Sequence, residues 1–366
     1  MEVYSGSYVM AAVTFKPLQR SAFFAEIKEK KDRYFAEKRL DSAGNRKLYV
    51  KGAIQVVSAI ALYIWLVFFT PSVLWAMLLC AVFGFNLAVI GFNVMHEGGH
   101  RSFSKHGWLN TVAAYSLNVL GGNAHFWKIK HNVNHHTYTN IEGHDADIEV
   151  GSLMRLHEHQ PRYWFHRFQH FYWIVLYGIS YIAWVFYLDF GRYFSREFVP
   201  HMDPKARMKF REHFVFWVSK IGYVSVYIVL PAIIVGWAGA LAGFVIAAVV
   251  CGITTSVVFQ LAHVVEGMAF PVADETGNIS EEWAIHQINT TANFATRNKV
   301  FFWLLGGLNF QVEHHLFPRI SHIHYPQISR FVKETCQKYG VIYREHSTML
   351  QAFASHLTHL RKLGVH

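Results

Sequence analysis

The chain has 366 residues, of which 52% are hydrophobic, 16% aromatic and only 16% charged. Those proportions exclude a string of ordinary soluble domains and fit one integral membrane domain. A formal charge of +10 gathered in polar stretches beside apolar runs suits anionic lipid headgroups rather than nucleic acid, and it also suits an acidic redox protein or acyl carrier.

The N-terminus carries no positive charge before its short apolar stretch at residues 8–13, so it does not read as a signal peptide. Five apolar runs then compete as spans: residues 52–70, 73–95, 171–190, 214–237 and 238–263. Each has about the 20 residues a bilayer core requires. Trp65, Trp75, Trp173, Trp217 and Trp237 fall near their ends, at the depth where amphipathic rings sit.

If all five crossed, polar segments that belong together would face opposite sides. The turns Thr70-Pro71-Ser72 and Trp237-Ala238-Gly239 hold no Lys or Arg, as expected of translocated loops. The third run is flanked by Arg155, Arg162 and Arg167 before it and by Arg192, Arg196, Lys205, Arg207, Lys209 and Arg211 after it. It is therefore expected to lie on the membrane or re-enter, as is residues 108–127 with its Asn110, Asn118 and Asn123.

The expected fold is all-α: four transmembrane helices as two hairpins, interfacial helices, and a histidine-rich cytosolic cap from residues 96–213 and 264–366. The chain divides into a cytosolic N-terminal segment 1–51, a membrane and metal portion 52–326, and a cytosolic tail 327–366 that begins as a surface helix. Cys80, Cys251 and Cys336 are isolated, which excludes a disulfide framework and a CxxC motif.

Three histidine clusters lie outside the apolar runs: His96-Glu97-Gly98-Gly99-His100, His131-Asn-Val-Asn-His135-His136 and Gln311-Val-Glu313-His314-His315. With 24 histidines in the chain, roughly one or two His-His doublets arise by chance, so the two present prove little by themselves. Their placement is the signal. The first cluster begins where the second run ends, and His263 closes the last run within Gln260-Leu-Ala-His263.

Neutral imidazole is a common donor to iron, zinc and copper, and this many on one side imply more than one ion. On an α-helix His96 and His100, four apart, share a face and can grip a single ion or one edge of a pair; His131 and His135 do likewise, while His136 points elsewhere and can reach a second ion. Asp145 and Asp147 are the expected partners of the outer imidazole nitrogens, with Glu97, Glu142, Glu266 and Glu313 as other nearby carboxylates.

His96 to His100 also matches the HExxH zinc-protease signature, but a protease needs one further ligand, and the second and third clusters would be superfluous. A histidine-rich metal transporter would need polar residues across the midplane, and Asn86 and Asn93 are the main ones, with no buried acid expected before His263.

In order, spacing and membrane placement the clusters resemble those of the membrane fatty acid desaturase family, over residues 52–326. The resemblance implies two irons held by His96, His100, His131, His135, His136, His263, His314 and His315, with O2 as co-substrate and a cis double bond as product. Gln311, where many members have His, is similar to the front-end type, which desaturates between an existing double bond and the carboxyl end, and is a weaker ligand candidate. No HPGG cytochrome motif occurs, so electrons are expected from a separate ferredoxin or small cytochrome with its reductase, and a bacterial inner membrane is the expected setting.

The acyl group would arrive on coenzyme A, a carrier protein or a glycerolipid. Its chain offers no polar handle, so an apolar tunnel must set position, and Gly84, Phe85, Gly91, Gly252 and Ser256 are candidate lining residues. Acyl or carotenoid hydroxylation on the same scaffold is the alternative reaction.

Overall fold

A computed structural model describes residues 13–15, 22–148, 150–195 and 208–365. The stretch 8–12 and the basic residues Arg196, Lys205 and Arg207 lie outside the described residues. Helix α1 (Ala22–Lys38) is polar, whereas α2 (Arg46–Phe68), α3 (Val73–Gly99), α6 (Trp164–Ser195), α7 (Phe210–Val235) and α8 (Trp237–His263) are long and apolar enough to cross a membrane. These five begin and end close to the five apolar runs, because continuous hydrophobicity over some 20 residues is the least ambiguous signal a sequence carries.

Asn45 starts α2 by accepting from the Lys47 backbone, and the turn at Pro71 returns the chain into α3. Asn86 ties this hairpin together by donating to Ser58 Oγ at 2.8 Å. A second hairpin joins α7 to α8 through Gly236, whose φ of +86° is open to glycine and strained for other residues.

Helix α8 is the centre of the bundle, packed on α3 at one side and α6 at the other. Small residues make both approaches. A Cβ on Gly84 would stand 2.1 Å from Ala247 O, and one on Gly252 would stand 2.6 Å from Tyr177 O. Ser180 and Ser256 hydrogen-bond across the second crossing at 2.9 Å.

Between the hairpins lies α4 (Gly107–Val119), with Trp108, Val112 and Val119 exposed and Asn110 and Asn118 buried. Asn110 donates to Ser104 O and Asn118 to Ser219 Oγ, so the asparagines satisfy the inner side while the outer side stays apolar, as an interfacial helix requires. Asn123 then accepts from the His125 and Phe126 backbones and starts α5 over residues 124–138, whose middle, Lys128–His135, is π-helical.

The remaining helices are α9 (Trp283–Asn289), α10 (Lys299–Leu304), α11 (Gln311–Leu316), α12 (Tyr325–Tyr339) and α13 (Met349–Val365). Two short parallel strand pairs, Thr14–Phe15 with Asn278–Ile279 and Asn293–Phe294 with Glu345–His346, tie distant loops. Ile328 and Val332 of α12 are buried with Phe23 and Ile27 of α1, Ile288 of α9 and Val312 of α11 in one apolar core.

One expectation about the spans fails: a buried acid does precede His263. Asp189 of α6 accepts from Lys220 of α7 at 2.9 Å, and both are buried. Lys220 also donates to Gly121 O and Val185 O, so the pair is hydrogen-bonded well enough to exist between apolar helices.

Candidate metal centre

Eight histidines gather where α3, α5, α8 and α11 meet. Nitrogens of His96, His100, His131 and His314 lie within 4.8 Å of one another, as do those of His135, His263 and His315. His136 stands between the groups, its ring centre 4.6 Å from that of His314 and 4.4 Å from that of His315, and its Nε2 3.3 Å from His131 Nε2. All eight residues inferred from the sequence are therefore in one place.

His131 and His135 remain neighbours although the Lys128–His135 turn is π-helical: their rings stack with centres 5.2 Å apart, and their nitrogens lie within 4.8 Å of each other and of an Asp147 oxygen, while each also stands in one of the two histidine groups. A second π-turn, Gly91–Met95, immediately precedes His96.

The outer nitrogen of several rings is held by the protein. His135 Nδ1 donates to Asp145 Oδ2 at 2.9 Å, and His263 Nδ1 donates to Thr290 O at 3.2 Å. His315 Nδ1 donates to Gln287 Oε1 at 2.8 Å, and His314 Nδ1 lies 3.1 Å from the Tyr325 hydroxyl. The Nε2 atoms of His100, His135, His314 and His315 and the Nδ1 of His136 are buried with no hydrogen-bond partner. Buried orphan nitrogens are costly, and a set aimed inward with the opposite nitrogens fixed is what a metal centre needs. The residues fit a metal.

Electrostatics agree. Burial, aided by neighbouring imidazoles, holds His100, His136, His314 and His315 well below the ordinary histidine range, so they are neutral and able to ligate. Burial also disfavours charge on His135, but the Asp145 carboxylate outweighs it and raises this residue. Asp147 lies 3.6 Å from His131 Nδ1 and 2.5 Å from Lys130 Nζ; burial opposes its charge, yet Lys130 and its histidine neighbours hold it well below the usual carboxylate range.

Glu97, the would-be protease base, accepts from Ser102 Oγ at 2.9 Å and from His322 Nδ1 at 2.6 Å. It ties the first cluster to the loop before α12. Glu313 accepts from Asn293 and Tyr343, burial raising its pKa to about 7, and Glu266 pairs with Lys362 on α13. Sequence reasoning missed the holders Gln287, Thr290 and Tyr325, which are 20 or more residues or a whole element away from the rings they hold. It also missed Trp127, stacked on His131 with ring centres 4.6 Å apart in space that Gly99 leaves open.

A cavity of about 320 Å³ opens on the centre, walled by His96, His131, His263, His314 and the buried Gln311. Gly91 and Ser256 are among its lining residues. Gly84 and Gly252 do not, being consumed by the helix crossings, and Phe85 is 37% exposed on the outer surface. A second apolar cavity of about 530 Å³ runs on among α2, α3, α7 and α8 towards Thr70 and Gly239, and Leu87 and Tyr181 line both.

Fold and site together define a helical protein with five helices long and apolar enough to cross a membrane and a histidine cluster, compatible with a metal centre, that borders a largely apolar cavity. The sequence profile described as "Fatty acid desaturase" matches residues 69–347, and the chain belongs to that family. It is similar to an sn-1 linoleoyl-lipid 6-desaturase of Arthrospira platensis, 36% identical over 94% of this chain and 93% of the relative. The protein of the same name from Synechocystis is 34% identical over 97% of this chain and 99% of its own length. An acyl-lipid (8-3)-desaturase of Physcomitrium patens is 32% identical over 97% of this chain and 74% of its own. The chain is thus an oxidoreductase, a fatty acyl desaturase.

Proposed function

We propose that this protein is an O2-dependent front-end desaturase that inserts a cis double bond into the acyl chain of a membrane lipid, at a centre of two irons. The observation that carries the reading is the pair of histidine groups with inward orphan nitrogens on the wall of an apolar channel. His96, His100, His131 and His314 would hold one iron and His135, His263 and His315 the other, with His136 in reach of both. When bound, the irons supply from O2 the oxidising power that no side chain has, enough to remove hydrogen from an unactivated methylene.

The chain's own residues do the rest. Asp145, Thr290, Gln287 and Tyr325 orient the imidazoles, and Asp147 performs the same service for His131. Leu87, Phe92, Leu120 and Val258 exclude water and align the methylenes beside the centre. Gln311 borders the channel as a wall residue rather than a ligand.

A lipid-linked substrate is supported by the names of these three relatives, each an acyl-lipid or linoleoyl-lipid desaturase. Electrons come from an external one-electron carrier, a ferredoxin or small cytochrome with its reductase, in keeping with the chain's net positive charge.

Four crossings are supported by parity. The His263 ring at the end of α8 is 4.8 Å from that of His135, so the chain crosses an even number of times between α3 and His263. With α7 and α8 forming a hairpin, α6 contributes none and lies at or re-enters the side that carries the cap. That side is the cytosolic face of a bacterial inner membrane, in keeping with the uncharged turns at Pro71 and Gly236 and the bacterial relatives.

Gas chromatography with mass spectrometry of lipids from cells expressing the chain and fed linoleate tests the reading. A new cis olefin towards the carboxyl end, absent with His314→Ala, is expected. A hydroxylated chain without an olefin, or no product while two irons and a reduced donor are present, overturns it.

A further inference from the structure

The buried Asp189–Lys220 pair has no part in holding the histidines, yet two charges between apolar helices are costly and mark function more often than packing. Asp189 Oδ1 accepts from Trp184 Nε1 at 3.1 Å and faces Arg192 Nη1 at 3.8 Å. Trp184, Leu188 and Arg192 are all on the wall of the metal cavity.

Two Lys or Arg side chains line that cavity among the described residues, Arg192 and Lys130. Lys130 is neutralised by Asp147 at 2.5 Å. In the other group Asp189 carries one negative charge against the two positive charges of Lys220 and Arg192, so among the described residues one positive charge is left over, on a guanidinium with 16% of its side chain exposed. The rest of the described lining carries no Lys, Arg, Asp or Glu: it is imidazole, amide, hydroxyl, sulfur, aromatic and hydrocarbon.

A guanidinium presents a planar fork of donors that matches carboxyl and phosphate oxygens. An acyl lipid has one oxygen-rich end. We propose that Arg192, set in place by the buried Asp189–Lys220 pair, anchors the ester and phosphate oxygens at the carboxyl end of the acyl substrate, with the methyl end directed past Leu87 and Tyr181 into the second cavity. This rests on the reading of the cavity as the acyl channel. Arg192 is a binding residue and Asp189 a positioning one. Because the anchor is fixed to the same helix bundle as the metals, the new double bond is counted from the carboxyl end.

The test is native mass spectrometry of the purified full chain titrated with dioleoyl phosphatidylglycerol, dioleoyl galactosylglycerol or oleoyl-coenzyme A, for the wild type, Arg192→Gln and Arg192→Lys. Loss of a charged hydrogen-bond donor is expected to weaken phosphatidylglycerol about ten- to hundredfold in Arg192→Gln, with partial recovery in Arg192→Lys. In cells, Arg192→Gln is expected to give olefins at neighbouring positions instead of one, a change that a merely structural defect would not cause.

Equal weakening of the galactosyl lipid assigns the ester oxygen as the atom held, and weakening of oleoyl-coenzyme A alone assigns a soluble thioester as the source; both support the anchor. Wild-type affinity for all three probes with a single product position overturns it. If Arg192→Gln fails to accumulate, the same two readouts on Arg192→Lys decide. Loss of binding in the variants beside a wild type that makes no olefin would remove the desaturase reading and leave the anchor standing.

Discussion

Asp145→Asn is the sharpest perturbation of the metal centre that removes no ligand. Asp145 is fully buried; its Oδ2 accepts from His135 Nδ1 and from the Asn140 backbone, each at 2.9 Å, and its Oδ1 accepts from the Asp147 backbone at 2.9 Å. Three donors converge on two oxygens, and asparagine has only one oxygen to offer. The less costly rotamer keeps oxygen towards His135 and Asn140 and turns the amide against the Asp147 N–H. One buried donor is then left facing another, at a cost of about 1–3 kcal/mol.

His135 loses its negative partner at the same time and becomes a poorer base. Changes of this kind in the groups behind a ligand reduce metal affinity about 10- to 100-fold. The assay is the chelator concentration that strips half the iron from purified protein, with a melt recorded in parallel. A half-point lowered by that factor with the apo melt changed by only a few degrees is the expected result. An unchanged half-point would refute the role given to Asp145 and the assignment of His135 as a ligand.

Gly84→Ala is expected to lower the melting temperature, since its Cβ would stand 2.1 Å from Ala247 O and overpacking costs about 1–3 kcal/mol, whereas Gly91→Ala, with nothing within 4 Å, should melt as the wild type. Lys220→Met leaves the buried Asp189 with only Trp184 and the longer Arg192 contact, a loss of up to about 3–5 kcal/mol, and Asp189→Asn in the same chain should recover part of it in the melt. Burial lowers the His356 pKa to about 4 from 6.5, while Nδ1 donates to Val264 O. Because the folded value is depressed, its stabilisation of α13 is complete above pH 6.5 and is lost as pH falls towards 4. Hydrogen exchange in Met349–Val365, corrected for intrinsic rate, should rise over that window, and less so in His356→Gln.

The five apolar helices and the eight histidines were legible because each rests on a local signal, hydropathy over a span or residue type at short spacing. The grouping of the histidines was legible only within each cluster, not between clusters. The π-turns at Gly91–Met95 and Lys128–His135 have no marker in composition, yet His131 and His135 still meet each other and Asp147, while each also joins histidines brought in from other elements. Gln287, Thr290 and Tyr325 were invisible because their contacts are set by how α8, α9, α11 and α12 meet. Asp189 and Lys220 carried a signal that was overlooked: a lysine inside residues 214–237 requires a partner, and the acid near the end of the preceding run supplies it. The small residues misled in the other direction, since Gly84 and Gly252 serve helix contact rather than the channel.

Two irons held by the two histidine groups is the proposal on which the reaction depends. Its most direct test is the iron content per chain of anaerobically purified protein, measured for the wild type, His314→Ala and His135→Ala. Two irons are expected in the wild type and fewer in each variant, with both variants still folded in the membrane. A wild type that makes olefin with one iron per chain, or variants that keep both, would contradict it.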